Sequence, residues 1–162
     1  MFRKGDKVVY PHHGAAVIQD IRNVELLGER RKYLVLKLAY GGDLTLKVPV
    51  DNTEEVGLRE VVSRREVKKV MNVLREDESK MSTNWSRRFK TNWEKLRSGD
   101  IYAVAEVVRD LSIRERSKGL SAGEKRMLAK ARQILVSELT FAVDATEEKA
   151  EAMIDKVLEE SH

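Results

Sequence analysis

The chain contains no cysteine, two prolines and only 6% aromatic residues. Without thiols, neither a disulfide framework nor a zinc site built on thiolates is available, and nothing asks for an oxidising compartment. No apolar run approaches the roughly 20 residues needed to cross a bilayer. The opening residues, Met1-Phe2-Arg3-Lys4-Gly5-Asp6, lack the apolar core of a signal peptide, so the expected location is the cytoplasm. Glycine-rich phosphate loops are missing too. Gly41-Gly42-Asp43 has neither the lysine nor the spacing of a P-loop and stands between two strand-like runs, which makes it a hairpin turn.

Groups whose pKa can be tuned for acid–base work are equally scarce. His12 and His13 are adjacent, and neighbours on an extended segment point apart, so one metal could not use both without a further ligand. They read as turn-packing residues beside Pro11. The pairs Glu147-Glu148 and Glu159-Glu160 lie on charged helix surfaces and are solvated by default. No catalytic residue, metal or cofactor is expected, and the sequence argues for binding rather than catalysis.

What the chain does have is charge. Charged residues make up 36% of it, well above the usual quarter. The net charge of +4 conceals a division: residues 81–135 carry +7 and residues 136–162 carry −6. A concentrated positive field suits a polyanionic partner. Internal pairing of basic with acidic helices accounts for the same numbers, and charge alone leaves both readings open.

The hydrophobic pattern changes once along the chain. Val8-Val9-Tyr10, Val17 to Ile21, Tyr33 to Leu38 and Leu44 to Val48 read as strands broken by turns at Pro11 to Gly14, Gly28-Glu29 and Gly41 to Asp43. Four or five short strands in so little chain close most economically as a small SH3-like barrel. After Gly57 the period becomes helical. Val67, Val70, Met71 and Leu74 mark a first helix; a second ends near Ser98-Gly99; Asp100 caps a third. Ser121-Ala122-Gly123-Glu124 is a capping box that opens a fourth, and Asp144-Ala145-Thr146-Glu147 offers a similar start for a fifth.

On a helical projection of residues 84–97, Trp85, Phe89, Trp93 and Leu96 form one stripe, with Arg87, Arg88, Lys90, Lys95 and Arg97 around the rest. Trp93 reads as core. Trp85 has two readings, because a first-turn tryptophan flanked by cations is also what a minor-groove wedge requires. On the capping-box helix, Arg126 and Lys130 face away from the apolar stripe, and Lys125 and Arg126 sit in the first turn. Cations there oppose the helix dipole but suit a bound phosphate.

Four blocks carry a family resemblance: Val8 to Ala16 (VVYPHHGAA), Tyr33 to Lys37 (YLVLK), Thr83 to Arg88 (TNWSRR) and Gly119 to Arg132 (GLSAGEKRMLAKAR). In this order they span the chain, and they closely resemble the CarD family of bacterial transcription regulators. The resemblance implies an α+β fold, with a Tudor-like β-barrel that interacts with RNA polymerase over residues 1–60. A five-helix, DNA-binding domain over residues 61–162 would follow. It implies two partners, the polymerase β subunit and promoter DNA, the latter met in the minor groove and at phosphates at the upstream edge of the transcription bubble. The open promoter complex would be stabilised.

Trp85 matches the family's wedge, and Arg87, Arg88, Lys90, Lys125, Arg126 and Lys130 match or adjoin its basic positions. Lys47 matches a basic residue at the polymerase interface. Where relatives can carry a second cation, this chain has Val24, with Arg22 two residues away on the same strand face. A monomer in the cytoplasm, brought to the nucleoid by polymerase, is the expected state. The rival is a protein-only adaptor whose basic helices meet an acidic protein.

Overall fold

Alternating apolar residues make the first part of the chain a sheet. In the computed structural model, which describes residues 2–40 and 44–162, five strands run β1 (Lys7–Tyr10), β2 (Gly14–Leu26), β3 (Glu29–Leu38), β4 (Thr45–Pro49) and β5 (Arg59–Glu60). A 3-10 turn over Val50–Asn52 follows β4. All neighbours are antiparallel, in the order β4-β3-β2-β1-β5. One face packs Val8, Ala16, Ile18, Leu34, Leu36, Val48 and Leu58 into a small core.

β2 is longer than the sequence pattern suggested because a register shift between Ile18 and Asp20 lets it bend without breaking. The sheet curls as an SH3- or Tudor-like fold does, although no ladder joins β4 to β5 among the described residues. The β2–β3 turn lies at Leu27-Gly28, both with positive φ, rather than at Gly28-Glu29. Two such residues give the twist that antiparallel strands prefer. The expected hairpin turn at Gly41 to Asp43 falls outside the described residues.

Five helices follow: α1 (Arg64–Arg75), α2 (Trp85–Arg97), α3 (Ile101–Ser117), α4 (Ala122–Ala142) and α5 (Glu147–Ser161). Their starts are decided locally. Asp100 accepts the Tyr102 amide, and Ser121 and Glu124 form the expected capping box. Ser63 and Glu66 form another that had not been anticipated, and α5 is capped by Thr146 alone, while Asp144 takes a positive φ outside the helix. α4 is the central element, packed on α3, α5 and β2 and burying residues from Glu124 to Leu139. Among the described residues no helix is long and apolar enough to cross a membrane.

Sheet and helices meet in a tight joint. Gly14 lies so close to α4 that a Cβ there would stand 2.8 Å from Ser137 Oγ, the same hydroxyl that accepts the Ala15 amide at 2.9 Å. Arg59 forks onto Glu138 with two bonds of 2.7 Å and donates a third, also 2.7 Å, to the Gly99 carbonyl. The Val62 amide completes the Glu138 carboxylate. The His12 ring meets the edge of Trp93 with 5.1 Å between centroids, so the histidine turn packs as expected.

Candidate nucleic-acid interface

The surface begins with how α2 is rolled. Its buried stripe is Arg88, Asn92 and Leu96, four residues apart, which turns Trp85, Phe89 and Trp93 to the flank. The sequence projection had centred that stripe on the aromatic rings. An arginine can occupy the buried side because a carboxylate meets it there: Arg88 Nε donates to Glu124 Oε2 at 2.9 Å, with the two side chains 5% and 3% exposed. Arg88 also donates to the Ser82 and Thr83 carbonyls just before the helix. This corrects the placement of Arg88 on the DNA-facing surface. Its guanidinium sits inside the α2–α4 contact.

The same roll decides Trp85. It is neither sealed in the bundle nor free: 45% exposed, stacked on Phe89 at 4.9 Å and 23°, and donating its indole N–H to Ser121 Oγ at 3.0 Å. Trp93 is half-buried against the helical core. The starts of α2 and α4 therefore converge on the exposed indole, and both helix dipoles present positive ends there.

Cations surround this point. Arg87 and Lys90 are exposed on α2, and Lys125 and Arg126 on the first turn of α4. Lys130 is half-buried and lies about 12 Å further along α4 than its start, at 1.5 Å per residue. Burial, followed by the charge of Lys130, holds the His12 and His13 imidazoles below their ordinary range. None of these five cations is in an ion pair among the described residues. The acidic C-terminal helix takes up only Arg132 of the basic block, through Asp155 at 2.8 Å and Glu151 at 3.8 Å, while Lys95 is held by Glu106. Internal pairing accounts for part of the positive charge and leaves this surface unneutralised.

Glu124 makes the contact sensitive to acid. Burial works to raise its carboxyl, but the Arg88 hydrogen bond, the Ser121 amide and the Arg88 charge outweigh it and hold the group below its ordinary 4.5. The unfolded carboxyl then protonates first as pH falls, so the pair's stabilisation is complete above the ordinary value and is lost as pH drops through the lower, folded one. Denaturation titrations are expected to show stability falling below about pH 4.5, and falling less in Glu124→Gln. Equal slopes would remove this group from the acid response.

The polymerase candidates lie on the sheet face opposite its core. Register places Asp20 opposite Val35 and Val35 opposite Lys47, one row from Arg22 opposite Tyr33. Arg22 and Lys47 thus share a face, separated by two strand spacings of roughly 5 Å each. Arg22 is held by Asp20 at 2.9 Å, and Val24 is half-buried. The residue directly across from Val24 is Arg31, exposed and on that same face. It was missed in the sequence. Counting back from a Leu27-Gly28 turn would have found it, since that turn pairs Leu26 with Glu29 and therefore Val24 with Arg31.

Comparison with known proteins matches both parts. Residues 2–62 match the family profile described as "CarD-like/TRCF RID domain", and residues 69–155 match "CarD, C-terminal domain". The chain is 36% identical over 149 residues to a Bacillus subtilis (strain 168) protein named "Putative transcription factor YdeB", covering 92% of this chain and 97% of that one. Sheet and helices are thus matched in the order in which the fold joins them, and the chain belongs to the CarD family.

Proposed function

We propose that the protein regulates transcription by bridging RNA polymerase and promoter DNA. The outer sheet face, with Arg22, Val24, Arg31 and Lys47, docks on the polymerase β subunit. Trp85, Arg87, Lys90, Lys125, Arg126 and Lys130 engage DNA at the upstream edge of the melted bubble. The observation that carries this reading is the half-exposed Trp85 indole at two converging helix starts, with cations around it that no carboxylate among the described residues neutralises. The Arg59–Glu138 joint supports it, because a firm connection would set the spacing between the two docking surfaces. The protein acts as a non-enzymatic monomer in the cytoplasm, drawn to the nucleoid by polymerase.

Such a contact favours the open complex only if it is better there than in the closed one. An indole at the fraying edge of the bubble meets that condition. The unstacking cost of a few kcal/mol per base step, which a wedge into intact duplex would bear, has already been met by melting. A differential of about 1.4 kcal/mol shifts the open-to-closed ratio tenfold.

Trp85→Ala is expected to bind polymerase as the parent does, in a pull-down with the full chain, yet to shorten the lifetime of the open complex after competitor challenge. Unchanged lifetimes would remove the wedge. A gel shift of promoter DNA, with and without polymerase, tests the other half. No shift in either lane would favour an acidic protein as the partner of the basic helices.

A further inference from the structure

We infer that Ser121 is a positioning residue for the Trp85 indole, held in turn by the buried Arg88–Glu124 pair. The inference rests on the reading of Trp85 as the group that meets melted DNA. It adds that the ring is set in place before DNA arrives, by a chain of hydrogen bonds reaching into the α2–α4 contact.

The hydrogen-bond capacity of Ser121 Oγ is fully used. It lies 3.0 Å from Trp85 Nε1, 3.2 Å from the Glu124 amide nitrogen and 3.1 Å from Glu124 Oε1. The indole and the amide can only donate, so the hydroxyl accepts from both and must give its own hydrogen to the carboxylate. All three capacities of a hydroxyl are then filled, which leaves it one orientation.

Glu124 is fixed as firmly. Its Oε2 receives Arg88 Nε at 2.9 Å, and its Oε1 receives a second guanidinium nitrogen at 3.3 Å. The same guanidinium holds the Ser82 and Thr83 carbonyls at 3.2 and 3.4 Å, and so the backbone that leads into the first turn of α2, where Trp85 begins the helix. One buried ion pair therefore controls both the acceptor of the indole N–H and the segment from which the indole projects.

Phe89 supports the ring face. The turn at Gly123 passes the ring edge next to the N–H, since a Cβ there would lie 3.7 Å from Trp85 Cζ2. The edge bearing the N–H is thus turned towards α4. Ordering a side chain on binding typically lowers affinity, and an indole already ordered avoids that loss, a factor of roughly two to ten.

Ser121→Gly tests this cleanly, because glycine caps a helix almost as well as serine but offers no side-chain acceptor. In the full chain, the Trp85 indole N–H resonance, assigned with Trp85→Phe, is expected to exchange faster with solvent in Ser121→Gly while helicity is kept. Open-complex lifetime should fall roughly two- to tenfold. The salt dependence of DNA binding should not move. Ser121→Thr, which restores the hydroxyl, should recover both the slow exchange and the lifetime. A shortened lifetime in Trp85→Ala together with an unchanged one in Ser121→Gly would overturn the positioning role alone. No effect of Trp85→Ala would overturn the wedge itself and the reason for positioning it.

Discussion

A fourfold rise in monovalent salt is expected to weaken DNA binding about 500-fold, on any sequence. The figure follows from the five cations that have no carboxylate partner among the described residues, Arg87, Lys90, Lys125, Arg126 and Lys130, if each meets one phosphate. Each neutralised phosphate releases condensed counterions and contributes about −0.9 to the slope of log affinity against log salt, giving a slope near −4.5.

Lys125→Glu with Lys130→Glu removes two contacts and should flatten the slope to roughly −2.7, so that the same salt step costs only about 40-fold. Fluorescence anisotropy on two unrelated duplexes at several salt concentrations is sufficient. A flat response in the parent protein would show that these cations do not meet phosphates, and the acidic-partner reading would take precedence. A loss confined to one of the two duplexes would mean that the lysines read bases rather than phosphates.

The second large effect lies inside the protein. Arg88→Ala leaves Glu124, whose side chain is 3% exposed, without its cation, and breaking one side of such a pair typically costs 3–5 kcal/mol. Against a total stability of about 5–15 kcal/mol for an ordinary domain, that is a large fraction of the whole. Arg88→Met with Glu124→Leu removes both charges and should recover most of the loss, since an apolar pair of similar volume incurs no desolvation penalty.

Urea denaturation of the parent, the single variant and the double variant measures the difference. The result bears on function as well as stability. An Arg88→Ala protein as stable as its parent, but with the salt slope reduced by about 0.9, would mean that the guanidinium reaches phosphate after all.

The helix boundaries that could be read beforehand share a physical basis. Ser121 with Glu124, Asp100 with Tyr102, and Gly99 at the end of α2 act over three residues or fewer, so their partners lie in the same short window of sequence. Where local signals competed, reading failed by a residue or two. Asp144 and Thr146 both suit a helix start, and only the path of the chain leaving α4 selects the threonine. Leu27 is a poor residue for positive φ, which drew the expected turn one place on to Gly28-Glu29. That shift hid the pairing of Val24 with Arg31.

Local pattern, composition and charge determined by themselves that this protein is a strand-rich unit followed by five amphipathic helices, with a basic block and an acidic end. These properties depend on which residues are near each other in the chain. Tertiary structure decided which cations are paired inside the fold and which stay on its surface. Arg88 finds Glu124 36 residues away, Arg59 finds Glu138 at 79, and Trp85 finds Ser121 at 36. A charged side chain is buried or exposed according to whether a counter-charge meets it, and that meeting is settled by how the helices roll and dock.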